Sequence, residues 1–129
     1  MNSKISIIGF AGSLRKASFN KALLRAALDV LPADVELKIF DLEGKPVAIM
    51  GASIGMLGSA RAQYHLRQCF VFLNMQPVNK PEVMVPFVKD KIDENGRLTD
   101  KQTIGFIKEL LANLVDLTKF LKTRPPAKA

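Results

Sequence analysis

Residues 12–20, GSLRKASFN, combine the features that bind a phosphate group. The loop offers a glycine that allows close backbone approach, two hydroxyl groups and a guanidinium with a fixed fork of donors: Gly12, Ser13, Ser18 and Arg15. A helix expected to begin near Asn20 adds unpaired N–H groups and the positive end of its dipole. The loop fits neither the P-loop pattern GxxxxGK[ST] nor the dinucleotide-binding pattern GxGxxG. The loop therefore predicts a phosphate cradle, and the alternative is a helix capped by Ser18 whose arginine faces water.

The segments around this loop alternate between strands and helices. Apolar runs and alternation predict strands over residues 5–10, 35–40, 47–51 and 81–85, the first of them buried on both faces of a parallel sheet. Helical periodicity predicts helices over residues 20–31, from the glycine-rich loop 52–58 to about 73, and from about 99 to 121. Such alternation indicates an α/β fold that binds ligands beyond the carboxyl ends of its strands.

The second and third helices carry broad apolar surfaces. In the second, the apolar side consists of Ala62, Leu66, Cys69, Phe70 and Leu73, so Cys69 is interpreted as a small core residue. In the third, Thr99 and Gln102 form a capping box, and the apolar stripe holds Ile104, Ile107, Leu111, Leu114, Val115 and Leu121, extended by Phe106, Leu110 and Leu117. This breadth, with the mixed face of Arg61, His65 and Phe72, predicts a homo-oligomer.

The link between the second and third strands is too short for a parallel crossover. Only six residues, DLEGKP at 41–46, separate the two strands, whereas such a crossover needs a dozen or more residues. Three explanations are open. The two strands pair antiparallel, residues 1–41 are exchanged between protomers, or a segment is absent from the chain at this point.

Three stretches resemble the NADPH-dependent FMN reductase family. They are GSLRKASFNKALLRAA, then LEGKPVAIMGASIGMLGSARAQYHLRQ at residues 42–68, then PEVMV with DENGRLTD. The resemblance implies a flavodoxin-like three-layer sandwich with a parallel sheet, here shortened to about four strands and three helices. In that family a central segment precedes GKPVAIMG, and this chain lacks it, with the apparent deletion near residues 42 and 43. Both the resemblance and the strand geometry therefore point to the same junction.

The resemblance also implies a cofactor and its binding residues. The FMN phosphate would lie among Ser13, Arg15, Ser18, Phe19 and Asn20, and the flavin ring beside Gly51, Ala52, Ser53, Gly55 and Gly58. NADPH or NADH would be the reductant, and quinone-like or other small molecules the acceptors. The flavin carries the hydride chemistry, so no catalytic side chain is assigned, and His65 is interpreted as a surface or interface residue. The alternative is a shortened, catalytically impaired member that acts as an oligomeric scaffold or binds simple phosphate ligands.

Composition argues against several other classes of protein. The formal charge of +7 favours anionic partners, but the basic residues are scattered and the chain has no tryptophan, which argues against nucleic-acid binding. One cysteine and one histidine cannot build a disulfide or a Cys/His zinc site, and no metal is expected. The longest charge-free stretch, residues 46–60, is too short to cross a membrane, and no signal peptide is apparent, so we expect a cytoplasmic protein. We expect one domain over residues 1–121 and a disordered basic tail over 122–129.

Overall fold

A computed structural model describes residues 5–11 and 19–124, apart from the side chains of Phe19 and Lys21. Its helices are α1 (Phe19–Asp29), α2 (Ala60–Phe72), α3 (Lys101–Lys122) and a short 3-10 helix (Val88–Lys91). Its strands are β1 (Ile5–Phe10), β2 (Val35–Phe40), β3 (Pro46–Val47), β4 (Met50–Ala52), β5 (Gln76–Pro77) and β6 (Val83–Val85). In this part of the chain no helix is long and apolar enough to cross a membrane. The three predicted α-helices are present, but the expected third strand is divided into β3 and β4, and β5 was not predicted.

Each strand pairs with one partner, and all three pairs are parallel. β1 pairs with β2, β3 with β5, and β4 with β6. In the longest pair Ile5 lies opposite Val35 and Phe10 lies opposite Phe40. Helix α1 connects β1 to β2, and α2 lies between β4 and β6, as a parallel crossover requires.

The short link between β2 and β3 is a continuous turn. In it, the Lys45 amide donates to the Leu42 carbonyl at 3.3 Å, and Gly44 adopts a left-handed φ of 66°. The predicted antiparallel pairing of residues 35–40 with 47–51 is wrong, because β3 and β4 use the later strands β5 and β6 as their partners. Exchange of residues 1–41 between protomers stays a prediction.

The chain divides into two compact units. The first unit contains residues 1–45, described over 5–11 and 19–45, together with residues 73–75. The second unit contains residues 46–72 and 76–129, described as far as 124. The single domain over residues 1–121 stays a prediction. Helix α3 extends through Lys122, the first residue of the predicted tail, and residues 125–129 lie outside the described part.

The second unit has an apolar core between its strands and α3. Val83, Val85 and Val78 are buried there with Leu110, whose side chain is only 1% exposed. Ala48, Val88, Ile107, Leu114 and Leu117 pack around them. Leu110, which the sequence placed at the edge of the apolar stripe of α3, is therefore the most buried part of that helix.

Helix α2 buries only part of the apolar face predicted for it. Gln63 and Phe70 are buried, whereas Leu66 and Cys69 are exposed. The interpretation of Cys69 as a core residue is wrong. The helix is oriented instead by polar side chains, because Gln63 and Arg67 donate hydrogen bonds to the backbone carbonyls of Val83 and Val78.

Helix α3 begins one residue later than the predicted capping box requires. Asp100 is the N-cap, and its carboxylate accepts a hydrogen bond from the Thr103 amide at 2.9 Å. Thr99 instead donates its amide and its hydroxyl to the Lys91 carbonyl, at 2.8 and 3.1 Å. Thr99 thus fixes the segment before the helix and does not cap it.

In the first unit α1 packs on the β1–β2 pair, but the strands stay exposed. A Cβ added to Gly9 would lie 2.8 Å from Leu24 and 3.0 Å from Leu37, so the missing side chain lets the helix approach. Ile8 and Phe10 are nevertheless 66% and 61% exposed. The prediction that β1 is buried on both faces is wrong. β2 pairs along one edge of β1, and α1 is the element that packs on β1.

Candidate functional site

Ser53 anchors the glycine-rich loop that follows β4. Its amide donates to the Val85 carbonyl at 3.0 Å, and its carbonyl accepts from the Val88 amide at 3.1 Å. Its hydroxyl accepts from the Gly55 amide at 3.1 Å. Through these bonds Ser53 joins the carboxyl end of β4 to the carboxyl end of β6. Ligands of parallel α/β sheets bind beyond this end of the strands.

The glycines of the loop have different surroundings. A Cβ at Gly51 would overlap the Ser59 hydroxyl, and one at Gly58, where φ is 53°, would lie 2.7 Å from the Pro86 nitrogen. These two positions need glycine because the chain packs on itself there. Gly55 is different, since its Cβ would meet nothing nearer than the Ser53 hydroxyl at 3.6 Å. Only at Gly55, of these three, does the missing side chain leave open space.

The loop carries apolar side chains that face solvent. Ile54, Met56 and Leu57 are all exposed, and Ala52 at the end of β4 is exposed as well. Exposed apolar groups beside an open backbone suit a flat, largely apolar ligand. The ring-binding role predicted for Gly51, Ala52, Ser53, Gly55 and Gly58 stays a prediction.

Phe87 lies next to this loop and was missed by the sequence analysis. Its amide points at the Gly55 carbonyl, with the nitrogen and oxygen 3.4 Å apart. Its backbone is left-handed, with φ 50° and ψ 45°, and its side chain is exposed. The only signal in the sequence is an aromatic residue directly after Pro86 at the end of a predicted strand.

Gln63 holds α2 against the same strands. Its side chain is 4% exposed, and its amide nitrogen donates to the Val83 carbonyl at 2.9 Å and to the Ser59 hydroxyl at 3.0 Å. Among the described residues its amide oxygen is buried without a hydrogen-bond partner. Arg67, one turn later, donates to the Val78 carbonyl at 3.3 Å and to Asn79 at 3.0 Å. These bonds fix the helix that follows the loop.

The predicted phosphate site belongs to the first unit and is only partly described. Ser13, Arg15 and Ser18 lie outside the described residues, as does the side chain of Phe19. Phe19 and Asn20 form the first two positions of α1. The Asn20 side chain is exposed and contributes to an open cavity of about 420 Å³ that it shares with Phe10, Ala11, Leu23, Leu24 and Ala27. A cavity therefore exists where β1 ends and α1 begins.

Arg25 of α1 contributes to a second cavity in the first unit. This cavity has about 200 Å³ and is lined as well by Ala11, Leu24, Ile39, Phe40 and Asp41. Both β1 and β2 end at its wall. Arg25 thus places a cation at the carboxyl ends of the first two strands.

Comparison with known proteins bears on all of these residues. The family model of NADPH-dependent FMN reductases matches residues 5–45 and 41–90. The chain is 29% identical to an NAD(P)H-dependent FMN reductase of Pseudomonas aeruginosa over 176 aligned residues, covering 88% of this chain and 95% of that protein. It is 47% identical to a quinone reductase of Escherichia coli over 67 residues, which are 51% of this chain and 36% of that enzyme. In this second match the chain thus spans about a third of its relative.

The length of one alignment indicates a gap relative to the Pseudomonas protein. The alignment with the Pseudomonas protein is longer, at 176 residues, than this chain of 129 residues, so part of the relative has no counterpart here. The family model matches in two pieces that meet at residues 41–45, the turn between β2 and β3.

Comparison with solved structures also finds a flavoenzyme. The structure matches FerB, a flavoenzyme NAD(P)H:(acceptor) oxidoreductase of Paracoccus denitrificans, with a TM-score of 0.53 and 17% identity over 89% of this chain and 97% of that one. The predicted shortened, flavodoxin-like α/β fold is confirmed, as are FMN and NAD(P)H as the cofactors of the family. With more than half of its residues matched by the family model, the chain belongs to the NADPH-dependent FMN reductase family of oxidoreductases.

Proposed function

We propose that this chain binds FMN and reduces quinone-type acceptors with NADPH or NADH. The observation that carries the proposal is the loop after β4. It joins the carboxyl ends of two parallel strands through Ser53, it leaves open space at Gly55, and its apolar side chains face solvent. These residues fit a flavin ring, which is flat and apolar on its faces and can approach a backbone that lacks a Cβ. The relative from Escherichia coli is named a quinone reductase, which supports the choice of acceptor.

The phosphate of FMN would be held by the loop before α1. Arg15 would donate two hydrogen bonds from its guanidinium, and Ser13 and Ser18 would donate their hydroxyl groups. Phe19 and Asn20 begin α1, whose first amides and positive dipole end favour an anion.

Bound FMN would supply the redox chemistry, taking a hydride from the nicotinamide and passing a hydride, with a proton from solvent, to the acceptor. The protein contributes a fixed backbone beside the flavin ring. Gln63 and Arg67 hold α2 to the strands, and Ser53 fixes the loop against β6, so the backbone beside the ring does not have to reorganise when a ligand binds.

The test is a fluorescence titration of FMN with the native chain and with Arg15→Ala. Loss of one charge-assisted donor should weaken FMN binding roughly tenfold to a hundredfold, and Ser18→Ala should add to the loss. Lys108→Ala, which removes an exposed cation from α3, is the control and should leave the affinity unchanged. Unchanged affinity in both Arg15→Ala and Ser18→Ala would contradict the phosphate assignment.

The same titration separates the alternative function. The β1–β2 strands are exposed, and the family model matches in two pieces that overlap at residues 41–45. Both observations favour the second candidate, an impaired member that acts as an oligomeric scaffold or phosphate binder. A native protein that is colourless and does not take up added FMN would support that candidate. The predicted homo-oligomer stays a prediction under either function.

A further inference from the structure

Phe87 has a backbone conformation that suits glycine. Its φ of 50° and ψ of 45° lie in the left-handed region, which a bulky residue with a Cβ adopts only at a cost. The surrounding bonds impose this geometry. Ser53 binds Val85 and Val88 on the two sides of Phe87, and the Phe87 amide meets the Gly55 carbonyl. All three of these bonds join backbone groups, so none of them uses the Phe87 side chain.

Packing does not compensate for the strain at Phe87. The side chain is 52% exposed and does not belong to the apolar core of the second unit. A glycine would take the same backbone conformation without the steric cost, and little burial would be lost with the ring. A strained, exposed aromatic side chain at the end of a strand is the kind of feature that functional sites retain.

The position of Phe87 places the residue beside the proposed flavin site. The residue follows β6 and lies beside Gly55, at the carboxyl end of the strands where the proposed function places the flavin. Aromatic rings stack on other flat rings with a preference that aliphatic side chains lack. FMN is also anchored by its phosphate, but a quinone has no charged group to hold it. The affinity for a quinone therefore depends more on contacts with its ring.

We propose that Phe87 determines acceptor specificity by stacking on the ring of a flat aromatic acceptor, so that the site favours quinones over compact acceptors without a ring. The proposal rests on the proposed function, since it uses the flavin site beside the loop after β4. It concerns a residue that contacts the acceptor and leaves the binding of FMN to other groups.

The test compares Phe87→Ala and Phe87→Gly with Phe87→Tyr, which keeps an aromatic ring. Phe120→Ala removes another exposed phenylalanine of the same unit and is the control. Three quantities are measured for each protein. They are the Kd for FMN, the Kd for 1,4-naphthoquinone on the FMN-loaded protein without reductant, and the KM for 1,4-naphthoquinone and for ferricyanide.

We expect Phe87→Ala and Phe87→Gly to raise the Kd and KM for naphthoquinone roughly threefold to tenfold, the range that one aromatic stack provides. The KM for ferricyanide and the Kd for FMN should stay unchanged, and Phe87→Tyr and Phe120→Ala should behave like the native protein.

Other outcomes overturn the proposal in distinguishable ways. Equal effects on naphthoquinone and ferricyanide would make Phe87 a structural residue, and a weaker FMN affinity would place its ring on the flavin. If the native protein binds FMN and no constant changes, the role of Phe87 is wrong while the proposed function stands. If the native protein binds no FMN, the proposed function fails and the acceptor role of Phe87 fails with it.

Discussion

The two units differ in how much side chain they bury. The first unit has the longest strand pair in the structure, six residues against six, yet none of its described residues is buried. The second unit has strands of two and three residues, and every buried residue of the described chain lies in it. The longest strand pairing and the hydrophobic core thus lie in different units.

The contrast shows what holds each unit in place. An isolated two-stranded sheet is at best marginally stable in water, and one helix packed on it adds a limited apolar contact. The core of valines around Leu110 supplies the burial in the second unit. We therefore infer that the second unit carries most of the stability, and that the first unit opens more readily.

The largest effect is expected from a matched pair of leucine substitutions. Leu110→Ala should lower the free energy of unfolding by about 2–5 kcal/mol, because it leaves a cavity at the most buried side chain. Leu23→Ala, on a side chain of α1 that is 70% exposed, should change it by no more than about 0.5 kcal/mol. Urea denaturation followed by circular dichroism measures both. Equal losses would mean that the first unit has a core of its own in solution and would break the comparison.

A smaller effect concerns backbone strain within the second unit. Phe87→Gly should raise the free energy of unfolding by about 1 kcal/mol, because glycine accepts the left-handed backbone. Gly96→Ala should lower it by about the same amount, because φ there is 75° and no atom lies within 4 Å of the added Cβ, so strain acts alone. Thermal unfolding monitored by calorimetry gives both signs. A loss of stability in Phe87→Gly would show that the exposed ring packs better than its environment indicates.

The smallest effect is a pH dependence at the start of α3. Hydrogen bonds from the Thr103 hydroxyl and amide, with Lys91 nearby, lower the pKa of Asp100 below its ordinary 3.8. The folded state therefore holds the carboxylate more firmly than the unfolded state does. Its contribution to stability is present above pH 3.8 and is lost as the pH falls through the lower folded pKa.

Asp100→Asn keeps a capping side chain and removes the titration. Urea midpoints between pH 2.5 and pH 6 should show a shallower decline for this variant than for the native chain. Parallel curves for the two proteins would contradict the assignment of Asp100 as a charged cap.

Local features of the fold were predictable from the sequence, and the faces that pack were not. The positions of β1, α1 and β2 follow from periodicity and from the proline after α1, which are local properties of the chain. The rotation of α2 depends on hydrogen bonds from Gln63 and Arg67 to carbonyls of residues that come later in the chain. The apolar pattern of Leu66 and Cys69 therefore predicted the wrong orientation for these two side chains of α2.

In the candidate site, too, the local motifs were predictable from the sequence and the packing around them was not. Its glycine-rich loops were identified from residue types and from resemblance, because those motifs are continuous in sequence. The close packing around Gly51 and Gly58 depends on Ser59 and on the end of β6, which a sequence pattern does not locate. Phe87 was missed because the residue type of phenylalanine does not predict a left-handed backbone.

The turn between β2 and β3 is one of the places where the chain passes from one unit to the other. Every strand pair is formed within one unit, and Gly44 at the turn is exposed, with no atom within 4 Å of an added Cβ. Residues can therefore be inserted or deleted at this turn without a change in the strand registers on either side. The contact that such a change would affect is the hydrogen bond from the Gly44 amide to the Leu73 carbonyl. Protein engineers can use the same position to graft a reporter, a second binding module or the central segment of a relative.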